Sequence, residues 1–363
     1  MTITDVRTHR LTVPLHTPFV TARRTTRVLE TTVVEVVDAA GRRGFGEAPQ
    51  VWRVTGESLA SADACIRGPL ADVIRGRSTG DLNDLTADVA AAVVGNHGAK
   101  SAVDVALHDL AARSLGISLP RLLGTARHDV ETDVTVSAGD PTQLAATARD
   151  RVAEGFSVVK LKVGSEAETD IATVCAVREA VGPDVRLRVD ANQGWTPRAA
   201  VRVIRHLEDA GVGLEFVEQP VAADDLAGLA RVTAAVDTPV MADESVFGLR
   251  DLTTVIETGA VDLVNIKLAK CGGLATAVAM ARLARAHGVG FIVGSMMEGP
   301  IGVGAAASLV AAVGSTLVSD LDAAWWMSGR TVAGGLRYDG STVVLPTGPG
   351  LGIHGLGVEE VAG

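Results

Sequence analysis

The chain has 363 residues, 47% of them hydrophobic and 21% charged, with a formal net charge of −10. That length can bury a large core and leaves room for a barrel plus one additional domain, and the acidity, without any basic stripe, argues against a nucleic-acid partner. No apolar run reaches membrane-spanning length, and residues 1–15 alternate as a strand does instead of carrying a secretory apolar region.

The alternation from Ile3 to Val13 and from Leu29 to Val37 predicts two strands, followed by a turn at Asp38-Ala39-Ala40-Gly41 and a return from Gly44 to Glu47. Between the first two, Pro18 to Thr26 has no clear period and reads as an exposed loop. Three helical segments come next, ending with Ala99 to Leu115, where Gly116 supplies a C-cap. Cys65, Cys175 and Cys271 are odd in number, far apart and free of any CxxC pattern. They read as small buried hydrophobes in a reducing compartment, and a cytoplasmic protein is expected.

From about Glu131 strand and helix alternate. Asp140-Pro141 and Thr196-Pro197 open helices with an N-cap and a first-turn proline, and Gly155 and Gly211 close them. The predicted strands are Thr132 to Ser137, Val158 to Val163, Arg186 to Asp190, Leu214 to Glu218, Val240 to Asp243, Leu263 to Lys267, Phe291 to Gly294 and Leu317 to Asp320. Eight strands alternating with helices predict an α/β fold with a parallel barrel. Beyond Asp322 the segments are short and rich in Gly and Pro, and the tail from Trp325 to Gly363 is expected to pack back on the N-terminal part. The domains expected are 1–125, an α+β capping domain, 126–323, the barrel, and 324–363, a segment returning to the cap.

Lys162, Asp190, Glu218, Asp243 and Lys267 recur at intervals of 24 to 28 residues, about one strand-plus-helix unit, each in or at the end of an apolar run. Charges at successive strand ends converge on one mouth of a barrel. Each carboxylate alone reads equally as a helix cap or an arginine partner. Three in register supply the hard oxygen ligands that suit Mg²⁺.

Lys160 and Lys162 stand two apart and share an inward face with Val158, while Val159, Leu161 and Val163 face the helices. Buried ammonium groups are unfavourable unless carboxylates or a substrate anion compensate them. Lys267 is half a barrel from Lys162, so the two could remove and deliver a proton on opposite faces of one carbon. For that they must be partly neutral, and neighbouring cations with desolvation are expected to lower their pKa values. Asp320 and Asp322 are also two apart on one face, which reads either as a site for a substrate ammonium or as a solvated surface pair.

Lys160-x-Lys162, Asp190-x-Asn192, Glu218-Gln219-Pro220, Asp243-Glu244-Ser245 and the stretch from Asn265-Ile266-Lys267 to Gly272-Gly273 resemble, in order and spacing, the muconate-lactonizing-type subgroup of the enolase superfamily. The similarity runs the whole chain, including Gly46-Glu47-Ala48-Pro49 and Gly294-Ser295-Met296-Met297-Glu298, and Asp320-x-Asp322 is similar to the pair that marks dipeptide epimerases. The resemblance implies a modified (β/α)8 barrel of (β/α)7β type, with an α+β capping domain completed by the C-terminal tail. It also implies Mg²⁺ on Asp190, Glu218 and Asp243, proton transfer by Lys162 and Lys267 through an enediolate, and an ammonium site at Asp320 and Asp322. Substrate contacts are expected at Thr135, Lys160, Ser295 and Met297. Arg24 matches the position that meets a glutamate side chain in L-Ala-D/L-Glu epimerases, with Arg23 and Arg27 as neighbours that could serve instead. The expected partner is a small dipeptide, in a homo-oligomer that binds neither nucleic acid nor membrane. Competing readings are o-succinylbenzoate synthase or muconate cycloisomerase activity, a class I aldolase using Lys267 as Schiff base, and a non-catalytic binding protein.

Overall fold

Residues 2–20, 25–137 and 139–359 are described by the computed structural model. The valine-rich N-terminal stretch forms an antiparallel sheet of β1 (Ile3–Val20), β2 (Thr25–Asp38) and β3 (Arg43–Pro49), in that order. The loop expected over Pro18 to Thr26 is paired at its described ends, Phe19 with Thr26 and Val20 with Thr25, with the register broken between Pro14 and Phe19, and residues 21–24 lie outside the described residues. Prolines at 14 and 18 interrupt the ladder and erase the alternation, and the pairing is held instead by Leu15 and Phe19 packing on Leu29 and Trp326. Arg23 and Arg24 lie outside the described residues.

The sheet's inner face is covered by helices, chiefly the one over His97–Ser114, in which every residue from Gly98 to Ala112 is buried. Gly44 and Gly46 of β3 let this helix approach to backbone contact: a Cβ on Gly46 would lie 1.8 Å from the Ala102 carbonyl oxygen. Asp109 of the same helix accepts bonds from Phe45 N at 2.9 Å, Leu351 N at 2.6 Å and Arg113 Nε at 3.0 Å. One carboxylate thereby ties cap, helix and C-terminal tail together.

After β4 (Asp129–Glu131), seven parallel strands follow: β5 (Val134–Val136), β6 (Val158–Lys162), β7 (Arg186–Asp190), β8 (Leu214–Glu218), β9 (Val240–Ala242), β10 (Leu263–Lys267) and β11 (Gly290–Gly294). They pair in sequence order. The eighth strand, expected over Leu317 to Asp320, is reduced to two bridges, Ser319 to Thr132 and Asp320 to Gly294. Side-chain hydroxyls replace part of its ladder: Ser319 Oγ accepts from Val293 N at 3.2 Å and Thr132 Oγ1 from Leu321 N at 2.9 Å. The bridges close the curled sheet, and the fold is the expected barrel with its antiparallel cap.

Outward residues such as Val159, Leu161, Val189, Val217 and Ile266 join the core shared with the surrounding helices. Inside, Phe216, Met241, Leu263 and Ile292 form an apolar plug. Beside it the fully buried Arg188 stacks on Phe216 and pairs with Asp133 at 2.8 Å and Glu215 at 2.6 Å. The tail adds β12 (Arg330–Gly334), β13 (Arg337–Asp339), β14 (Thr342–Val344) and β15 (Ile353–Glu359). β12 pairs with β15, and β13 and β14 extend from β4.

The contact at Gly46 yields a stability prediction. Gly46→Ala must push the helix off the sheet, and urea unfolding should show a loss of about 1–3 kcal/mol. A loss below about 0.5 kcal/mol, the range of ordinary surface changes, would mean that sheet and helix separate freely.

Candidate active site

The last residues of β6, β7, β8 and β10 bring Lys162, Asp190, Glu218 and Lys267 to one mouth of the barrel. β9 ends at Ala242, so Asp243 stands just past its strand. Lys160, one layer deeper and fully buried, lies between three carboxylates: Glu218 Oε2 at 2.6 Å, Asp320 Oδ2 at 2.8 Å and Asp190 Oδ2 at 3.4 Å. Lys162 Nζ donates to Asp190 Oδ2 at 2.6 Å, and Lys267 Nζ to Asp243 Oδ2 at 2.9 Å. Gly294 leaves room for Lys267, since a Cβ there would lie 3.0 Å from its Cε and 2.5 Å from Asn265 Oδ1.

Two polar residues not expected from the sequence complete this layer. Lys270, on the short helix after β10, is buried with its Nζ 2.6 Å from Asp243 Oδ1 and bonded to the carbonyls of Asp243 and Asn265. Glu244 accepts from Asn192 Nδ2 at 3.5 Å. A collar of side chains fixes the strand ends: Gln219 Oε1 accepts from Asp243 N at 2.9 Å and Ser245 N at 3.1 Å, and Asn265 Nδ2 donates to Glu218 Oε1 at 2.9 Å. Asn192, Gln193 and Gln219 take positive φ values of 43°, 67° and 37°. Such strain is uncommon outside glycine and gathers at functional sites.

Burial works against the Lys160 ammonium, yet Asp320, Glu218 and Asp190 outweigh it, and its pKa is raised well above that of an ordinary lysine. Burial likewise opposes the Lys267 ammonium, but Asp243 and Glu218 raise its pKa. At these two ammonium groups the facing carboxylates prevail over desolvation, whereas the lowering expected for Lys162 and Lys267 is tied to a bound metal ion. Asp190 and Asp243 resist the upward push of burial and are held low, by Lys162 with Lys160 and by Lys267 with Lys270. Glu218 is raised by burial and by Asp190, and Glu244 is pushed up to about 7 by burial and Asp243.

Above this layer opens a cleft of about 850 Å³ counted with its open mouth. Of the residues singled out in the sequence, Thr135, Lys162, Asp243, Lys267, Ser295, Met297, Asp320 and Asp322 line it, while Lys160, Asp190 and Glu218 lie beneath and are fully buried. Arg53 and Val54, from the cap, form part of the wall, and no periodicity in the sequence marked them. Arg27 lies in an adjoining recess with Trp52 and Met297.

Asp320 and Asp322 have different partners within the protein. Asp320 faces Lys160 and, against burial, is lowered to about 2 by Lys160 and Lys267. Asp322 follows the shortened eighth strand and accepts from Thr135 N at 2.7 Å and Trp326 Nε1 at 3.0 Å. Burial and the neighbouring Asp320 push it up to about 6.

Among the described residues no three carboxylate, thiolate or imidazole groups stand in ligand geometry round one point. Ammonium groups stand between the carboxylates. The donor set nonetheless fits a hard divalent cation. Six carboxylates (Asp190, Glu218, Asp243, Glu244, Asp320, Asp322) face four lysines (Lys160, Lys162, Lys267, Lys270), a deficit of two positive charges. Buried Asn192 Oδ1, Glu218 Oε2, Asp243 Oδ1 and Glu244 Oε2 lack hydrogen-bond partners, although Lys160 and Lys270 make close ion contacts with the second and third.

Residues 143–355 match the enolase C-terminal domain-like family, and residues 3–124 match the N-terminal domain of the mandelate racemase and muconate lactonizing enzyme family. The chain belongs to the enolase superfamily. It is an isomerase that groups with the dipeptide epimerases. It is 44% identical to the L-Ala-D/L-Glu epimerase of Bacillus subtilis, across 98% of this chain and 97% of that protein. A substrate-liganded complex of the Bacillus subtilis enzyme superposes with a TM-score of 0.96 at 43% identity, covering 98% of this chain and 100% of that one. The dipeptide epimerase of Enterococcus faecalis, complexed with Mg and the dipeptide L-Leu-L-Tyr, superposes with a TM-score of 0.93 at 36% identity, covering 97% and 99%. No helix among the described residues is long and apolar enough to cross a membrane.

The environment of Asp322 yields a pH-dependent prediction. Its raised folded pKa of about 6 means that native stability falls as pH rises from the unfolded carboxyl value of 3.8 through 6. Asp322→Asn keeps an acceptor for Thr135 and Trp326 but cannot ionise. In urea unfolding with EDTA present, its stability relative to the unsubstituted protein should therefore climb between pH 4 and 7 and level off above. Parallel pH profiles would show that Asp322 is not held in this state.

Proposed function

We propose that this protein is a Mg²⁺-dependent dipeptide epimerase that inverts the α-carbon of the C-terminal residue by proton transfer between two lysines. The observation that carries this reading is the placement of Lys162 and Lys267 on strands half a barrel apart, both lining one cleft whose wall holds Asp320 and Asp322. Asp190, Glu218 and Asp243 would hold the Mg²⁺. When bound there, the ion supplies a Lewis acid that draws charge from the substrate's C-terminal carboxylate and makes its α-proton removable.

The chain's own groups do the rest. One lysine, in its neutral form, takes the α-proton from one face, and the other, protonated, delivers a proton to the opposite face. One proton is lost and one gained, so only configuration changes. The ammonium of Lys160, fixed by three carboxylates, is poised to meet the negative charge that develops on the substrate. Any cation that takes up oxygens of Asp243 and Glu218 also weakens their hold on Lys267, which favours the neutral base. Asp320 and Asp322 would bind the substrate's free ammonium and orient the reacting carbon from a distance.

L-Ala-L-Glu is the leading substrate, supported by the similarity to L-Ala-D/L-Glu epimerases. A dipeptide with an apolar second residue is the other reading, favoured by Phe19, Val54, Met297 and Trp326 in the cleft. A Schiff-base role for Lys267 is disfavoured by its ion pair with Asp243. Three free cysteines support a reducing, cytoplasmic setting.

Lys162→Ala and Lys267→Ala should each lower epimerisation by about 10²–10⁴-fold, while each still exchanges the α-proton of one epimer with D₂O, as read by proton NMR. Epimerisation at the unsubstituted rate in either variant would remove the two-base account. N-acetylation of the dipeptide should lower kcat/KM by about tenfold or more, since each charge-assisted hydrogen bond contributes about 1.5–3 kcal/mol. Equal turnover of free and acetylated dipeptides would rule out recognition of the amino terminus. Removal of metal should abolish turnover and added Mg²⁺ restore it, and full activity in protein shown by elemental analysis to be metal-free would dismiss the ion.

A further inference from the structure

We propose that Asp170, in the first turn of the helix over Ala167–Val181, is a positioning residue that holds Lys162 to its face of the reacting carbon, through a clamp closed by Trp195. The inference rests on the two-lysine reading and names what keeps one of the two lysines in place.

Lys162 is the last residue of β6, and the ladder ends just beyond it, where Val163 N donates to Asp190 O at 2.9 Å. The turn that follows is pressed against the loop after β7. Gly164 takes a φ of +96°, and a Cβ there would lie 2.1 Å from the Ala191 carbonyl oxygen. A Cβ on Gly194 would in turn lie 2.1 Å from the Gly164 carbonyl oxygen. Only bare backbone fits between these two loops.

Asp170 supplies the bonds that close this contact. Its Oδ2 accepts from Gly164 N and Ser165 N, both at 3.1 Å, and from Trp195 Nε1 at 2.8 Å, while its Oδ1 accepts from Ser165 Oγ at 3.0 Å. Asp170 and Trp195 are both buried. A carboxylate cut off from water and served by neutral donors depends on each of them, so the turn after Lys162 has one place to sit.

The neighbouring loop has further holds: Ala191 N donates to Glu218 O at 3.1 Å, Gln193 N to Gln219 O at 2.8 Å and Trp195 N to Pro220 O at 3.0 Å. Among the described residues Gly164 N and Ser165 N have no acceptor but Asp170. Lys267 is fixed separately, by Asp243 and by the helix over Leu268–Cys271 that follows it and carries Lys270. Loosening the clamp therefore frees Lys162 and leaves Lys267 in place. A displacement of about 1 Å can cost a reacting group about a hundredfold in rate, so the clamp acts on proton transfer at one face of the substrate.

The test reads each lysine by itself. Exchange of the α-proton with D₂O is followed by proton NMR for L-Ala-Glu and L-Ala-Leu, with the second residue in either configuration, at saturating dipeptide and Mg²⁺. In Lys267→Ala protein Lys162 alone supplies the exchange, and in Lys162→Ala protein Lys267 alone does. Adding Asp170→Asn should lower exchange about ten- to hundredfold in the first and change it by no more than about twofold in the second, as for sites without shared partners. Trp195→Phe removes only the indole donor and should give the same asymmetry at smaller amplitude, which keeps the test open if Asp170→Asn folds poorly by circular dichroism and urea unfolding. Equal loss in both backgrounds, or unchanged exchange in Lys267→Ala protein, would make the clamp purely structural and overturn the inference while leaving dipeptide epimerisation intact. Absence of any exchange or epimerisation of these dipeptides by the unsubstituted protein would overturn both.

Discussion

A lysine ammonium with no solvent exposure is the constraint on which the barrel mouth depends. Lys160 lies fully buried, and only the carboxylates of Glu218, Asp320 and Asp190 within 3.4 Å make that tolerable. Those three come from β7, β8 and the closing segment at Ser319-Asp320, so one nitrogen draws together elements from different parts of the barrel wall. The closure is otherwise thin, because the eighth strand contributes only two bridges and its hydroxyl-mediated bonds. Removing Lys160 would leave three buried carboxylates without their shared partner, and the shape of the mouth would change with the charge.

The same network is left short of positive charge, and the shortage is distributed unevenly. Asp190, Asp243 and Asp320 are held low by adjacent lysines, whereas Glu218, Glu244 and Asp322 are pushed up. Carboxylates kept in that state weaken the protein when it stands alone and strengthen its hold on an arriving cation, the usual opposition between stability and function. A divalent ion at the strand ends and an ammonium beside Asp322 would relieve two different parts of the shortage. Binding of one should therefore not exhaust the attraction for the other.

Much of this was legible in the sequence, and the limits have physical causes. Inward placement of Lys160 and Lys162 follows from two-residue alternation, and the spacing of Asp190, Glu218 and Lys267 follows from the length of a strand-plus-helix unit. Lys270 and Glu244 escaped the same reasoning because neither is on a strand. Lys270 is on a one-turn helix that folds back toward Asp243, and β9 stops at Ala242, after which alternation no longer says where a side chain points. The pairing of Phe19 and Val20 with Thr26 and Thr25 was hidden because the partner strand, not the local pattern, makes these residues extended. The raised pKa values of Lys160 and Lys267 were not legible for a related reason: the carboxylates each ammonium faces come from other strands, so their net effect depends on distances that spacing does not contain.

The residues proposed for chemistry and those of the cleft wall occupy different parts of this chain, and the contacts between them explain how both remain aligned. The lysines and carboxylates that could move protons stand on barrel strands or immediately after them, fixed by a collar of Gln219 and Asn265 bonds. The walls that would read a side chain come from the cap: Phe19 on the hairpin, and Arg53 and Val54 on the loop after β3. Trp326 joins the two sets, packing on Phe19 while its indole donates to Asp322. A displacement of the hairpin is thus felt at the proposed ammonium site, whereas a change of a side chain that only faces the cleft, such as Arg53, need not disturb the floor. The cap's share of the cleft wall can then change by substitution without altering the charge balance that positions Lys162 and Lys267.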